Sequence, residues 1–550
     1  MLIRIPVLFA VAASLLRQAP PAADQNKASV EGIVLNALTG EPLRRAQVVL
    51  RLASGRGATA MGGVRAVPRG PGIAASTDAS GKFTLAGIDP GRYYLSADRN
   101  GFLRADYGAK RQGMAGTPID LQAGAVKRDL TIKLTPQGIV AGRVFDEEGE
   151  PLQNVFVQLL QKRYFSGAQR YVPAASGATN DRGEFRLLDV QPGRYLLVAR
   201  FRGAMMEGGV DSQTGLGYAP TYYPGVAAAA QAGTVEVAAG RESGGAEMRL
   251  QRARLFRISG QVIDASGAPV KQANVQAVVR DNPFISGPSY SFSREPDGRF
   301  EIPGVPPGSY TVLARSMEPA RDGPPAVAAQ SVELGEHNVD GVLLSLTPGV
   351  NLGGKVAVEG GGTVKLEAVR VTLAPAVMML PGASAAAKGD GTFTLENVQP
   401  GKYRLTVIQP GGDTYLKSAK LGGQEVDPRE LDIAGAQEMI VTLSTAAAKV
   451  SGTVATADGP VSQATVVLMP AEEAKRGEGA ARMTTTGQDG SFTLNGLAPG
   501  DYKVFAWDDI ESGAWQDPEF LKPIESKGRA VKLESSAAAT LTLEPIPAGQ

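Results

Sequence analysis

One interval constrains this chain more than any other feature. A phenylalanine is followed ten positions later by a tyrosine five times over: Phe83 and Tyr93, Phe185 and Tyr195, Phe300 and Tyr310, Phe393 and Tyr403, Phe492 and Tyr502. A glycine stands two residues before each tyrosine, at Gly91, Gly193, Gly308, Gly401 and Gly500. Successive tyrosines lie 102, 115, 93 and 99 residues apart. A period near 100 residues exceeds the roughly 20–50 residues of a solenoid repeat. It matches a small domain with a core of its own.

Other marks keep the same order in every copy. Each opens with an alternating run around a glycine (Gly32, Gly142, Gly260, Gly354, Gly452). A Gly-x-Pro or Gly-Pro turn follows in four copies, and the fourth copy has Glu359 to Gly362 instead. A second alternating run comes next (AQVVL, NVFVQL, ANVQAV, VRVTL, ATVVL), then an acidic turn, the Phe run, a Pro-Gly turn and the Tyr run. Alternation with period two is the mark of strands with one buried face. Turn residues every 8–12 positions give about seven strands per copy, the spacing of a β-sandwich. Glycines in the acidic turn and before the tyrosine are expected to supply positive φ. The turn residues Asp78, Asp181, Asp297, Asp390 and Asp489 are expected to close Asx-turns; a calcium site there would need several more oxygens.

This order of marks resembles the carboxypeptidase regulatory-like domain, itself similar to the transthyretin (prealbumin-like) sandwich and to Cna-B domains. The resemblance covers nearly the whole of residues 28 to 546. It implies an all-β fold of five tandem seven-stranded prealbumin-like, Ig-like sandwiches, with no catalysis of their own. The expected division is a signal peptide over 1–24 and sandwiches over 28–136, 137–252, 253–348, 349–446 and 447–550. Some Cna-B domains carry Lys–Asn isopeptide bonds; the nearest hint of the acidic partner here is Glu396. Short connections such as RDLTIKLTPQGIVAGRV predict a fairly stiff rod.

Composition narrows function by exclusion. The chain has 550 residues, no cysteine and one histidine, His337. No disulfide framework, thiol nucleophile or multi-histidine zinc site can be built. A Ser/His/Asp triad would have to pass through His337, which is expected on a solvated hairpin. Lys and Arg number 56 against 55 Asp and Glu, a balance that argues against nucleic acid as a partner. No cofactor and no metal site are expected. The Gly-rich stretch Gly55 to Gly72 lacks the Gly-Lys-Ser/Thr ending of a phosphate loop and reads as a long loop. Glycine (68) and proline (37) are abundant because turn chemistry is repeated five times.

The first residues have the form of a secretory signal: Arg4, an apolar run from Ile5 to Leu16, then Ala19 to Asp24. Export to the periplasm, cell surface or medium follows as the expectation, with no membrane span once the signal is removed. Aromatics outside the repeat are the candidate ligand contacts. Tyr218, Tyr222 and Tyr223 lie in GYAPTYYPG of the second copy, Tyr107 in a shorter counterpart of the first, and Trp507 and Trp515 in FAWDDIESGAW of the fifth. Exposed, their rings could stack on sugars, with Asp508, Asp509 and Asp517 accepting hydroxyl hydrogen bonds; alternatively they cap the ends of the sandwiches. The expected function is a non-enzymatic structural, adhesion or binding scaffold at the cell envelope, its partner a polysaccharide or an envelope protein. Carbohydrate binding through the loop aromatics is the alternative, and service to an outer-membrane transport system a second.

Overall fold

The structure is a computed structural model. It describes residues 26–547 apart from 54–71, 113–115, 166, 202–209, 212, 281, 283, 285–288, 294–296, 318–325, 378–379, 410–413 and 478. The signal-peptide expectation and most of the Gly55 to Gly72 loop lie outside the described residues. Among the described residues no helix is long and apolar enough to cross a membrane.

The chain is all-β, and its strands form the same two-sheet arrangement in five successive units. In the first sheet of each unit the opening strand lies between the Phe strand and the last strand of the unit. It runs antiparallel to the Phe strand and parallel to the last strand of the unit. Ala28–Asn36 lies between Lys82–Ile88 and Val126–Leu134. Gly138–Phe145, Phe256–Ile263, Val350–Glu359 and Ala448–Thr456 repeat this between Glu184–Val190 and Glu242–Arg249, Arg299–Val305 and Val339–Ser345, Thr392–Val398 and Met439–Ser444, and Ser491–Leu497 and Ala538–Leu543. In the second sheet the second strand pairs antiparallel with the Tyr strand, as Gln47–Leu52 does with Gly91–Asp98. Among its described residues the third unit shows the frame with seven strands.

Each unit has its own apolar core between its two sheets, the sandwich arrangement in which both inner faces interdigitate. All five phenylalanines are buried, and Tyr93, Tyr195, Tyr310 and Tyr403 with them, while Tyr502 is partly buried. The opening-strand glycine is explained by crowding. A Cβ on Gly32, Gly142, Gly260, Gly354 or Gly452 would strike the carbonyl of the parallel neighbour, at Leu130, Ala246, Val342, Met439 and Leu541. In three units it would also strike the ring of Phe83, Phe185 or Phe393. No other residue lets the two backbones approach so closely.

The acidic-turn glycines do supply positive φ, from 68° at Gly183 to 82° at Gly391. The pre-tyrosine glycine behaves otherwise. Gly193, Gly401 and Gly500 have φ of 147–158°, but Gly91 and Gly308 are not in the positive-φ range. What four of the five share is the ring: a methyl group on Gly91, Gly193, Gly308 or Gly500 would lie 3.2–3.6 Å from the tyrosine two residues on. The tyrosine hydroxyl then donates to the carbonyl four residues back, just before the proline of the turn. Tyr93 reaches Asp89 at 2.9 Å, Tyr195 Gln191 at 2.6 Å, Tyr310 Pro306 at 2.7 Å and Tyr502 Ala498 at 2.9 Å. This ties the Pro-Gly turn to the Tyr strand, a local form of tyrosine corner.

Candidate functional site

The chemistry-bearing side chains of the repeat are engaged with the backbone. Asp78 accepts from the amides of Ser80 and Lys82, and Asp297, Asp390 and Asp489 from the amide two residues on. The Lys82 amide leads in holding the Asp78 carboxyl below the usual range, and the hydroxyls of Thr392 and Ser491, followed by their amides, do the same for Asp390 and Asp489. In the second unit the role expected of Asp181 falls to Asn180, which accepts from Arg182 and Glu184. A buried threonine six residues before the phenylalanine went unread in the sequence. Thr77, Thr179 and Thr486 each accept from the amide of the second-strand entry (Ala46, Val155, Ala464, all 2.9 Å) and donate to a carbonyl three residues before it (Leu43, Leu152, Val461). The signal was the fixed interval to the phenylalanine; the fourth unit has Ala387 there.

His337 is exposed on the turn between Val327–Leu334 and Val339–Ser345. Glu396 is exposed on the Phe strand, on the side away from the core, so it does not meet a buried lysine as an isopeptide bond would require.

The five candidate aromatics divide between two places. In the second unit Tyr222 is buried, only 6% exposed, against Leu160, Leu196 and Val198 on the outer face of the second sheet. Burial raises its hydroxyl pKa. Arg200 lies on the neighbouring Tyr strand, Gly193–Phe201, 8% exposed, donating to Gln158 at 3.2 Å. Desolvation pulls its pKa down to about 10. Tyr218 is half-buried and donates to Glu147 at 2.6 Å, while Arg252 stacks on its ring at 5.3 Å and pairs with Glu147 at 2.5 Å. Burial and the Glu147 carboxylate push the Tyr218 hydroxyl up to about 12. Phe201 meets the Tyr218 ring edge-on at 5.4 Å. Tyr223 is half-buried against the first core of the unit. A shallow hollow of about 410 Å³ lies nearby, lined by Phe145, Pro224, Glu247, Arg249 and their neighbours but by none of the three tyrosines.

In the fifth unit the segment between the Tyr strand and Arg529–Leu533 holds the helical turns Ala514–Gln516, Pro518–Leu521 and Lys522–Lys527. It folds over the outer face of the second sheet as a second core. Trp507 is 1% exposed and Trp515 7%, packed with Phe505, Ile510, Leu521, Ile524 and Ile546. The Phe505 and Trp507 rings stack at 5.4 Å. Glu525 clamps the segment down through a bidentate Arg476 pair at 2.8 and 2.9 Å and Lys503 at 2.6 Å. Those partners hold its pKa at about 2, Arg476 contributing most.

Burial therefore corrects the stacking expectation for Tyr222, Trp507 and Trp515: these rings are filling, and a sugar has no open face to lie on. Asp508 and Asp509 are occupied by the first unit. Lys110 meets Asp508 at 2.6 Å and Arg111 meets Asp509 at 2.5 Å. Asp517 caps the Pro518–Leu521 turn. From the second unit, Tyr164 meets Phe520 edge-on at 5.8 Å and packs on the tryptophan core. These contacts also correct the rod. Units one and five touch across 398 residues of sequence, so the chain turns back on itself.

Comparison with known proteins bears on the frame. The sequence profile of the carboxypeptidase regulatory-like domain matches residues 29–135, 257–337 and 449–511. No curated protein matches the sequence. Among solved structures, the TIE protein of Bacillus anthracis is similar at 11% identity over 72% of this chain and 68% of that one, with a TM-score of 0.15. The minor pilin GBS52 of Streptococcus agalactiae is similar at 15% identity over 41% and 96%, TM-score 0.23. BcpA, the major pilin subunit of Bacillus cereus, is similar at 12% identity over 58% and 100%, TM-score 0.15. Three segments of the chain, within the first, third and fifth units, are thus similar to the carboxypeptidase regulatory-like domain.

Proposed function

We propose that this chain is a non-enzymatic, exported scaffold of five sandwich units, acting at the cell envelope. The observation that carries the reading is where the polar and aromatic chemistry goes. Hydroxyls of the repeated Tyr and Thr bind backbone, turn carboxylates bind their own amides, and the extra aromatics fill second cores. Side chains so engaged hold shape and are not free to act on a substrate. Export rests on the Arg4 and Ile5 to Leu16 pattern at the N-terminus.

The test is fractionation of cells expressing the chain with a C-terminal tag, together with a screen of the purified protein. Recovery from the periplasm, envelope or medium at a mass reduced by the leader supports the reading. Retention in the cytoplasm at full mass, or turnover of glycoside or peptide substrates, would remove it. Polysaccharides should leave the fluorescence of the two tryptophans unchanged, because both are enclosed.

A further inference from the structure

Three departures from the repeated frame lie in different units and meet at one place. The first is the hairpin of unit two, Val155–Phe165 with Ala168–Ala178, whose strands have 11 residues each. The corresponding second strands of the other units have six or seven. At about 3.4 Å per residue the extra four or five residues extend the hairpin by roughly 15 Å. The second is the loop of unit one after its Tyr strand, carrying Lys110 and Arg111. The third is the helical segment 508–528 of unit five.

The hairpin tip fits the segment closely. Tyr164 packs on Phe520 and the tryptophan core, and its amide donates to Glu511 at 3.4 Å. Gly167 lies against the Gln516 carbonyl, and Gly513, with φ of 86°, lies against the Tyr164 backbone. A Cβ on Gly167 would crowd the Gln516 carbonyl at 3.3 Å, while one on Gly513 would sit in ordinary contact with Tyr164. Beside this apolar contact sits a charged one. Lys110 reaches both the carboxylate and the carbonyl of Asp508, and Arg111 reaches Asp509. An insertion that serves only its own unit does not need complementary insertions elsewhere.

We propose that segment 508–528 is an interaction surface whose occupants are the unit-two hairpin tip and the unit-one Lys110–Arg111 loop of the same chain, so that it latches the five units into a closed body. The inference goes beyond the scaffold reading, since the latch forms or fails whatever the scaffold carries. The two arms respond to different conditions. The unit-one arm consists of partly exposed ion pairs, which salt screens over about 10 Å at 0.1 M. The unit-two arm is aromatic packing, which salt does not weaken.

The experiment is zero-length carbodiimide coupling of the full chain at low ionic strength, with peptide mapping of the monomer band and small-angle scattering alongside. A Lys110–Asp508 link within the monomer is expected, falling several-fold in about 0.5 M salt. Lys110→Glu should abolish it, and the swap Lys110→Glu with Asp508→Lys should restore a link between the exchanged pair. Lys110→Glu combined with Tyr164→Ala should lengthen the particle by roughly 30 Å, the breadth of one unit. An unchanged unfolding midpoint by tryptophan fluorescence would show unit five still folded. Absence of the link, its confinement to a dimer band, or a scattering profile indifferent to the double variant would overturn the latch.

Discussion

Units four and five share one frame but treat the outer face of the second sheet in opposite ways. On the Tyr strand of unit four, Gly401–Ile408, buried and exposed positions interchange, and Ile408 is 39% exposed. On that of unit five, Gly500–Trp507, the last four residues are all buried, and Trp507, at the position of Ile408, is 1% exposed. The strand of unit five is covered on both faces, as a continuous apolar run requires. The aromatics of the insertion and the broken alternation of the strand beneath them are two halves of one arrangement. Unit two repeats it with LLVARF under the Tyr222 loop.

Substitution at matched positions tests this contrast most sharply. Trp507→Ala should cost about 3–5 kcal/mol, the price of a large aromatic cavity, while Ile408→Ala should stay within about 0.5 kcal/mol. Both tryptophans belong to unit five, so denaturant unfolding of Trp507→Ala can be followed through Trp515. Calorimetry reads the variant in unit four. Equal effects would mean that unit four carries an outer layer as well.

A next, smaller effect should be common to both units. Gly354→Ala and Gly452→Ala push a methyl group into a facing carbonyl and should each cost about 1–3 kcal/mol. The neighbouring Gly353 has open space around it, and Gly353→Ala should change the calorimetric profile little. Thr486→Val should lower the stability of unit five by about 1–3 kcal/mol by leaving a buried amide and carbonyl without their hydroxyl. Unit four, built with Ala387, has no such dependence.

The smallest difference is electrostatic. The Glu525 carboxyl titrates near 2 when folded, below its ordinary 4.5. Its contribution is full above about 4.5 and is lost as the pH falls toward 2. Glu525→Gln should therefore flatten the pH dependence of unit five in that window, read by tryptophan fluorescence. The Lys402 and Glu430 pair of unit four is 60% and 63% exposed, and removing it should shift stability by no more than a few tenths of a kcal/mol.

Much of the frame was legible in the residues. The Phe-to-Tyr interval, the Pro-Gly turns and the acidic-turn glycines each report a local backbone requirement, and local requirements leave local patterns. The threonine bond joins residues 22–34 positions apart, and it needed five copies aligned on their phenylalanines to be seen. Whether Trp507, Trp515 and Tyr222 stack on a ligand or fill a core was left open because loop aromatics were weighed without the strand below them. VFAW and LLVARF already departed from alternation and announced a second layer. The junction of Lys110 with Asp508 had no such trace. It joins residues from opposite ends of the chain, and no periodicity or spacing encodes which surfaces meet after the units have formed.

The parallel pairing of first and last strands has a mechanical consequence. In each unit the chain enters at one end of this pair and leaves at the other, as with Ala448–Thr456 beside Ala538–Leu543. Tension applied through the chain ends would slide the two strands along each other and load their hydrogen bonds together, instead of opening them one by one like a zipper. Such a shear geometry resists pulling far better than its thermal stability alone would indicate, and it is built into all five units by their topology.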